Sequence, residues 1–242
     1  MDTVKIISGK TKMIAHRGVC GLERENTCAA FVAAGNRSYF GVETDVHVTK
    51  DGKFVIIHDE TTERVTTGVH NINVEENDYS ALEDVIITDM DGTRVRTDLR
   101  IPLLEEYIKI CKKYNKICVL EVKNHFEEDD LYKMLDEIEG MDYIDSMIFI
   151  SFDFENCVNI RKRLPKSKVQ WLTDKDVNEE MVQMLLENKL DLDIYFKKLD
   201  AENVKYLHSN GIEVNCWTCD EKEDAEKLVQ FGVDYITTDI LE

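Results

Sequence analysis

The sequence lacks long apolar runs, since no stretch approaches the ~20 apolar residues that a membrane-spanning helix needs. Residues 1–12 also lack the extended apolar centre of a signal peptide. Cysteine is sparse: the seven cysteines in 242 residues are too few for a disulfide scaffold, and their number is odd. We therefore expect reduced thiols and a cytoplasmic protein that forms no stable association with membranes.

Positive charge is also in short supply, with 30 Lys and Arg against 49 Asp and Glu, a net charge of −19. Such a protein repels nucleic acid and anionic membrane surfaces at long range, so nucleic acid is not an expected partner. An anionic small molecule would need local positive charge to bind, and a bound cation is the most compact source of it. The charge balance therefore favours a metal site.

The sequence contains no solenoid repeat and no low-complexity tract, and its 43% hydrophobic and 33% charged residues are typical of a globular protein. Short β-branched runs alternate with amphipathic runs of helical period, the first of them at residues 27–34. Eight strands are predicted, at residues 12–15, 42–48, 117–122, 147–151, 168–172, 193–196, 212–217 and 234–237. This alternation predicts parallel strands connected by helices.

Eight such units predict a single α/β domain over residues 1–242, a (β/α)8 TIM barrel with its active site at the carboxyl ends of the strands. A doubly wound open sheet is the alternative. Residues 60–100 interrupt the rhythm after the second strand, being polar, turn-rich and weakly periodic. An irregular segment of that length suggests a lid or a substrate-binding excursion. A plain surface insertion is the alternative. The pattern carries no signal for an oligomeric state.

The second predicted strand carries two carboxylates on one face. Strand alternation places Glu43 and Asp45 together, with their Cα atoms about 6.6 Å apart at the usual rise per residue. Side chains at that spacing can converge on one hard cation. The alternative is an exposed acidic face on an edge strand, which is common in acidic proteins.

A hairpin is predicted directly after this strand, because Asp51-Gly52 is a strong two-residue turn signal. With these two residues as the loop, Lys50 faces Lys53 and His58 falls opposite Asp45. The hairpin would thus deliver a histidine to the carboxylates. A longer turn would shift the register by one or two positions. A structural histidine that caps the hairpin is the alternative for His58.

Charged side chains also follow the first and third predicted strands. His16 and Arg17 come directly after the first strand, where histidine can transfer protons and arginine matches phosphate oxygens. A hydrogen-bonded turn is the alternative for this pair. Glu121 and Lys123 share one face at the end of the third strand, which favours a third metal ligand and a phosphate-binding cation. We consider a mutual salt bridge weaker, because same-face neighbours diverge.

Trp217 ends the seventh predicted strand and Asp239 follows the eighth, so both lie at the expected catalytic rim. Trp217 suits a wall of a substrate pocket, and an ordinary packed barrel tryptophan is the alternative. Asp239 is interpreted as a cap of the last turn.

Taken together, these motifs resemble the glycerophosphodiester phosphodiesterase family in order and spacing. The matching segments are Ala15-His16-Arg17-Gly18, Glu25-Asn26-Thr27, Glu43-x-Asp45 through Asp51-Gly52, His58-Asp59, Glu121-x-Lys123 and Trp217-Thr218. The resemblance implies a barrel with a small insertion after the second strand and the hydrolysis of glycerophosphodiesters to glycerol 3-phosphate and an alcohol.

The resemblance also implies roles for individual residues. It makes His16 and His58 the acid/base pair, and Glu43, Asp45 and Glu121 the ligands of one divalent cation, Mg²⁺, Ca²⁺ or Mn²⁺. It places Arg17 and Lys123 on the phosphate and assigns Glu25 and Asn26 to the substrate-binding first loop.

Two other functions remain open at this point. One is a phospholipase-like barrel acting on lysolipids, which would need an apolar entry surface that the negative charge disfavours. The other is a non-catalytic barrel that binds phosphorylated polyols. Such a protein should have lost a histidine or a carboxylate, and this sequence retains all of them.

Overall fold

The computed structural model describes residues 2–242 as a closed barrel. Nine strands form one sheet, in which β1 pairs in parallel with both β2 and β9 and thereby closes the ring. The strands are β1 Lys12–Ala15, β2 Gly41–Val48, β3 Phe54–Ile56, β4 Ile117–Val122, β5 Met147–Ser151, β6 Lys168–Thr173, β7 Asp191–Tyr195, β8 Val214–Trp217 and β9 Tyr235–Thr238. Only β3 is antiparallel to its neighbour. The predicted barrel is confirmed, and the open sheet is excluded.

Helices connect the parallel strands. They are α1 Cys28–Gly35, α2 Leu104–Tyr114, α3 Glu128–Gly140, α4 Phe154–Arg163, α5 Glu179–Asn188, α6 Ala201–Ser209 and α7 Lys222–Phe231, with 3₁₀ turns at Tyr79–Ala81, Ile144–Ser146 and Phe196–Lys198. Several begin at side-chain caps: Thr27, Asp153 and Asn178 each accept a hydrogen bond from the backbone three residues later. These caps satisfy backbone donors that the first helical turn leaves unpaired.

Strand alternation sorts the side chains into two packed layers. Val42 and Val46 of β2 point outward and belong to the main core between strands and helices, which also contains Phe31 and Tyr107. The rings of Phe31 and Tyr107 meet edge to face, with centroids 5.0 Å apart. The barrel interior holds a separate cluster of buried residues, namely Ile14, Val119, Ile148, Ile150, Leu172 and Tyr235. Glu43 and Asp45, which alternate with the outward valines along β2, therefore face the barrel axis.

The β2–β3 hairpin differs from the prediction. Its loop has three residues, Lys50 to Gly52, with Thr49 and Lys53 as the closing pair and Gly52 in the left-handed region at φ 76°. His47 consequently pairs with Val55, and the Asp45 carbonyl accepts the amide of Ile57. The predicted two-residue turn, and His58 opposite Asp45, are wrong.

The physical reason lies in the loop. The Asp51 carboxylate accepts hydrogen bonds from the Thr49 hydroxyl at 2.6 Å and from the Tyr79 amide at 2.9 Å. Three-residue hairpin loops commonly end in a left-handed residue, and Gly52 supplies it without strain. Loop length sets the register of the hairpin, so one extra loop residue moves every pair by one position.

Residues 60–100 contain no regular helix or strand beyond a single 3₁₀ turn, yet they are packed. Val65, Val74, Leu82 and Leu99 form a small apolar cluster with Val55 of β3. Isolated bridges such as Thr61 with Asn73 hold the segment together. The segment is thus a folded attachment to the hairpin.

All seven cysteines are free thiols. Within residues 2–242, no helix combines the length and the apolar character needed to cross a membrane.

Candidate active site

A cavity of about 110 Å³ opens where the barrel strands end at their carboxyl side. It is lined by His16, Arg17, Glu43, His58, Glu121, Ile150, Phe152, Leu172, Asp193, Trp217, Thr218 and Thr237. Most of the predicted site residues therefore face one space. Asp45, Lys123, Glu25 and Asn26 contact the lining residues or one another directly behind it.

Three carboxylates form the acidic side of the cavity. Asp45 of β2 lies beside Glu121 of β4 in the parallel register, and Glu43 precedes Asp45 on the same face. Each of the three offers an oxygen, and these oxygens lie within 4.8 Å of one another. All three residues are buried. This register therefore brings the three carboxylates together.

These carboxylates strongly affect one another's ionisation. Burial, followed by the charges of Asp45 and Glu121, raises the pKa of Glu43 well above its usual range. Burial and Asp45 raise the pKa of Glu121 to about 8. Burial would also raise the pKa of Asp45, but the cations of Lys123 and Arg17 outweigh it and lower that pKa. Additional positive charge is needed before all three can be ionised together.

The cluster passes a test for a hard divalent cation. Its donors are all carboxylate oxygens, the ligands preferred by Mg²⁺, Ca²⁺ and Mn²⁺. Asp45 Oδ1 is buried and has no hydrogen-bond partner among the described residues. An unpaired buried oxygen is costly, and a cation would satisfy it.

Lys123 bends back onto the carboxylates. Its Nζ lies 2.7 Å from Glu121 Oε1 and 3.5 Å from Asp45 Oδ1. Burial lowers the pKa of Lys123, but Glu121 and Asp45 outweigh burial and raise it. The sequence interpretation that same-face neighbours diverge is wrong here, because the flexible lysine stem allows the ammonium to reach the buried negative charge.

Arg17 is held by backbone and side chain together. Its backbone is left-handed at φ 51°, and its amide donates to Glu43 Oε2 at 2.8 Å. The guanidinium donates to Glu25 Oε1 at 2.9 Å, while its buried Nε has no hydrogen-bond partner among the described residues. Gly18 follows at φ 77°, where a Cβ would come within 2.6 Å of the Ala30 Cβ. The loop therefore requires glycine at this position.

His16 is oriented by a carboxylate from the other end of the chain. Its Nδ1 lies 2.6 Å from Asp239 Oδ1, and the Asp239 amide donates to Asp220 Oδ1 at 2.7 Å. The Cys20 thiol donates to the same Asp239 oxygen at 2.9 Å. Sequence reasoning missed this role of Asp239. The available signal was its position after the last strand, which barrel closure places beside the first.

His58 is oriented by its neighbour, with Nδ1 2.7 Å from Asp59 Oδ1. Arg64, from the 60–100 segment, donates to Asp59 at 2.6 Å and to Glu25 at 2.7 and 2.8 Å. Burial lowers the pKa of His58, and the charge of Asp45, which acts in the opposite direction, only partly offsets it. A continuous chain of charged groups thus runs from His58 to Arg17, and sequence reasoning did not assign Arg64 to it.

Asn26 lies behind the cavity with a left-handed backbone at φ 54°. Its amide nitrogen donates to Asp45 Oδ2 at 2.7 Å, and its amide oxygen accepts from the Thr44 hydroxyl at 2.7 Å. Both polar ends of the side chain are therefore engaged within the protein. Glu25 is likewise engaged by Arg17 and Arg64.

Aromatic and polar residues complete the opposite wall. Trp217 lies between Phe152 and Tyr195, with ring centroids 5.5 and 5.6 Å away. Asp193 of β7 is buried, and burial followed by Glu121 raises the pKa of its carboxyl well above the usual range. Asn215 donates to one oxygen of Asp193 at 3.1 Å. Sequence reasoning did not single out Asp193, although Asp191-x-Asp193 in β7 has the same alternating spacing as Glu43-x-Asp45 and was the available signal.

Comparison with known proteins agrees with this geometry. The profile of the Glycerophosphoryl diester phosphodiesterase family matches residues 16–242. A glycerophosphodiester phosphodiesterase of Caldanaerobacter subterraneus subsp. tengcongensis is 31% identical over 238 residues, covering 95% of this chain and 94% of that protein. One from Bacillus altitudinis is 28% identical over 252 residues, covering 95% and 94%.

Solved structures match over nearly the whole chain. A glycerophosphodiester phosphodiesterase from Parabacteroides distasonis is 26% identical with a TM-score of 0.79, covering 99% of this chain and 94% of that one. A phosphodiesterase from Oleispira antarctica, solved with the product sn-glycerol-3-phosphate, is 24% identical with a TM-score of 0.86, covering 94% and 92%. At that identity the second likeness establishes the fold alone.

Proposed function

Because this chain belongs to the glycerophosphoryl diester phosphodiesterase family, we propose that it hydrolyses glycerophosphodiesters to glycerol 3-phosphate and an alcohol. The observation that carries the proposal is the single cavity lined by two histidines, Arg17 and two of three clustered carboxylates. Such a constellation combines proton transfer with binding of a phosphate group, which the reaction requires.

The carboxylates of Glu43, Asp45 and Glu121 would hold one divalent cation, Mg²⁺, Ca²⁺ or Mn²⁺. When bound, this ion supplies positive charge to the non-bridging oxygens of the phosphodiester. Asn26 positions Asp45 through its 2.7 Å hydrogen bond, so we assign it to orienting a ligand rather than to touching substrate.

Arg17 and Lys123 supply the protein's own positive charge. The Arg17 guanidinium lines the cavity, where its Nε makes no hydrogen bond and lies 3.6 Å from Asp45 Oδ2, and its donors match phosphate oxygens. Lys123 reaches the cluster from the end of β4 and offsets the negative charge of Glu121. Both cations stabilise the phosphate oxygens more strongly as negative charge develops on them in the transition state.

The two histidines transfer protons. In each, a carboxylate engages Nδ1 and leaves Nε2 for the substrate, His16 through Asp239 and His58 through Asp59. One histidine accepts the proton of the attacking hydroxyl, which belongs to water or to the neighbouring glycerol group. The other donates a proton to the oxygen of the departing alcohol, so the bond to phosphorus breaks without releasing an alkoxide. Attack by the glycerol hydroxyl gives a cyclic phosphate, which water then opens to glycerol 3-phosphate in a second step.

The test is the release of glycerol 3-phosphate from glycerophosphocholine by wild type, His16→Ala and His208→Ala. We expect His16→Ala to lose about 10²–10⁴-fold of the turnover number. His208 is a matched control, because it pairs with Asp234 at 2.9 Å at the amino end of β9, away from the cavity. Wild type that releases no product with Mg²⁺, Ca²⁺ or Mn²⁺ would contradict the proposed reaction.

Metal dependence has a separate test. Chelator should abolish product release, and adding back one of the three ions should restore it. Glu43→Gln should raise the ion concentration needed for half-maximal rescue, since it removes one carboxylate of the cluster. Full activity of the chelated enzyme would rule out the cation.

A further inference from the structure

A second group of metal-ligating side chains lies beside the carboxylate cluster. His16, Cys20 and Asp239 each offer one ligand atom, and the three atoms lie within 4.8 Å of one another. Asp239 Oδ1 is the centre of the group, 2.6 Å from His16 Nδ1 and 2.9 Å from Cys20 Sγ. Neither Cys20 nor Asp239 belongs to the acidic cluster.

The group is accessible from solvent. The side chain of His16 is 18% exposed and that of Asp239 is 37% exposed, and Cys20 is half-buried. Asp220 lies behind Asp239 and accepts its backbone amide, which adds negative charge to the surroundings. Arg17 is the nearby cation that opposes it. An ion can therefore enter, and the local balance of charge favours a cation.

The donor chemistry distinguishes this group from the carboxylates. Sulfur and imidazole nitrogen prefer Zn²⁺ and Co²⁺, whereas all-oxygen sites prefer Mg²⁺, Ca²⁺ and Mn²⁺. We propose that His16, Cys20 and Asp239 form a second cation site, which takes an ion of the zinc class and is distinct from the site of Glu43, Asp45 and Glu121.

On binding, the Cys20 thiol releases its proton to solvent and its sulfur bonds the ion. The proton on His16 Nδ1 moves through solvent to Nε2, and Nδ1 exchanges its hydrogen bond to Asp239 for a bond to the same ion. Thiolate and carboxylate together carry the two negative charges that a divalent cation neutralises. Bonds of about 2.0–2.3 Å in a tetrahedral site separate ligand atoms by about 3.3–3.8 Å. The present hydrogen-bond distances of 2.6 and 2.9 Å need to widen by only about 1 Å.

Occupation of this site would inhibit the enzyme, a consequence that rests on the proposed function. With Nδ1 bound to an ion, the neutral His16 ring carries its proton on Nε2, so it can neither accept a proton from the attacking hydroxyl nor act as an imidazolium acid. Binding itself does not depend on the proposed reaction, so the two are measured separately.

Binding is tested by adding Co²⁺ to the full chain in the presence of saturating Mg²⁺. We expect a thiolate-to-cobalt charge-transfer absorption that reaches its maximum at one equivalent. Cys20→Ser, verified by circular dichroism, should lose the absorption. Cys28→Ser should retain it, because Cys28 is also half-buried and belongs to no such group. If Cys20→Ser does not fold, Cys20→Ala takes its place. The site is excluded if wild type shows no absorption or if the folded Cys20 variant keeps it.

Inhibition is tested by adding Zn²⁺ to the Mg²⁺-supported hydrolysis of glycerophosphocholine, with each variant compared to its own uninhibited rate. Loss of a ligand should raise the half-inhibiting Zn²⁺ concentration at least about tenfold in Cys20→Ser and not in Cys28→Ser. Equal inhibition of Cys20→Ser would overturn the inhibitory role. A cobalt signal in a chain that hydrolyses no diester would support this site and contradict the proposed function instead.

Discussion

Each histidine of the cavity is fixed by one carboxylate at Nδ1. Asp239 holds His16 at 2.6 Å, and Asp59 holds His58 at 2.7 Å. A carboxylate at this nitrogen selects the tautomer and the ring orientation that present Nε2 to the substrate. The two partners come from different places, since Asp59 is adjacent in sequence and Asp239 lies 223 positions away from His16.

We predict that Asp239→Asn lowers kcat by at least about 10²-fold with little change in stability. The amide has the same shape, but it favours the wrong histidine tautomer. Steady-state kinetics on glycerophosphocholine measure the effect. Asp234→Asn is the matched control, because it alters the His208 pair outside the cavity and should leave kcat unchanged. Equal kcat in wild type and Asp239→Asn would show that His16 needs no orienting carboxylate.

At the level of single residues, sequence reasoning located the acidic cluster and both histidines because strand alternation and strand ends are local signals. It did not locate Asp239 as the partner of His16, since that contact exists only when β9 closes against β1. It also misjudged Lys123, because strand alternation describes the backbone and not the reach of a flexible side chain.

Arg64 connects two elements of the site. It donates to Asp59, which holds His58, and to Glu25, which holds Arg17. A guanidinium suits this position because its planar fork can bind two carboxylates at once. The 60–100 segment thus contributes the Arg64 side chain to the site.

We predict that Arg64→Ala lowers kcat/KM by about 10- to 100-fold, because His58 and Arg17 lose a shared support. Arg100→Ala is the control within the same segment, since Arg100 pairs with the exposed Asp84. The test compares kcat/KM of the two variants under the same conditions. An Arg64→Ala enzyme as active as Arg100→Ala would show that the 60–100 segment does not contribute to catalysis.

The same arginine predicts a pH dependence of stability. Burial opposes the ionisation of Glu25, but Arg64 and Arg17 outweigh it and lower its pKa from 4.5 to about 2. Burial also opposes ionisation of Asp59, but Arg64 and His58 lower its pKa to about 2. Depressed carboxyl pKa values stabilise the fold above pH ~4.5 and lose that contribution as the pH falls towards 2.

Urea unfolding of wild type and Arg64→Ala between pH 7 and pH 3 measures this contribution. The difference in the free energy of unfolding should be largest at pH 7 and should narrow on acidification. Without Arg64, the carboxyls of Glu25 and Asp59 bind protons at a higher pH than in wild type, so the folded variant loses less stability as the pH falls. A difference that stays constant, or grows, as the pH falls would contradict the ion-pair network.

At the level of elements, the alternating pattern was sufficient to predict the barrel strands, and the β2–β3 hairpin was the main error. The Asp51-Gly52 signal indicated a turn correctly, but loop length depends on the contact of Asp51 with Tyr79 from another segment. The two-residue signal shows where a turn lies but does not fix the length of the loop. It therefore cannot reveal a register shift of one residue.

The whole barrel depends on the layer between strands and helices. Phe31 of α1 is fully buried there and packs against Tyr107 of α2. Phe31→Ala should lower the free energy of unfolding by about 3–5 kcal/mol, because it removes buried apolar surface and leaves a cavity. Val95→Ala is the control, since Val95 is 79% exposed and should change stability by less than about 0.5 kcal/mol. If chemical denaturation showed that both variants lose the same free energy of unfolding, this layer would not be the main core.

For the whole molecule, we propose that one cavity combines acid/base histidines with phosphate-binding charge to cleave a glycerophosphodiester. The most direct measurement follows glycerophosphocholine by ³¹P NMR in the presence of a divalent cation, with wild type and His58→Ala side by side. We predict that wild type converts the diester signal to that of glycerol 3-phosphate, while His58→Ala leaves the diester intact on the same timescale. A diester signal that persists with wild type, or that His58→Ala consumes equally fast, would contradict the account.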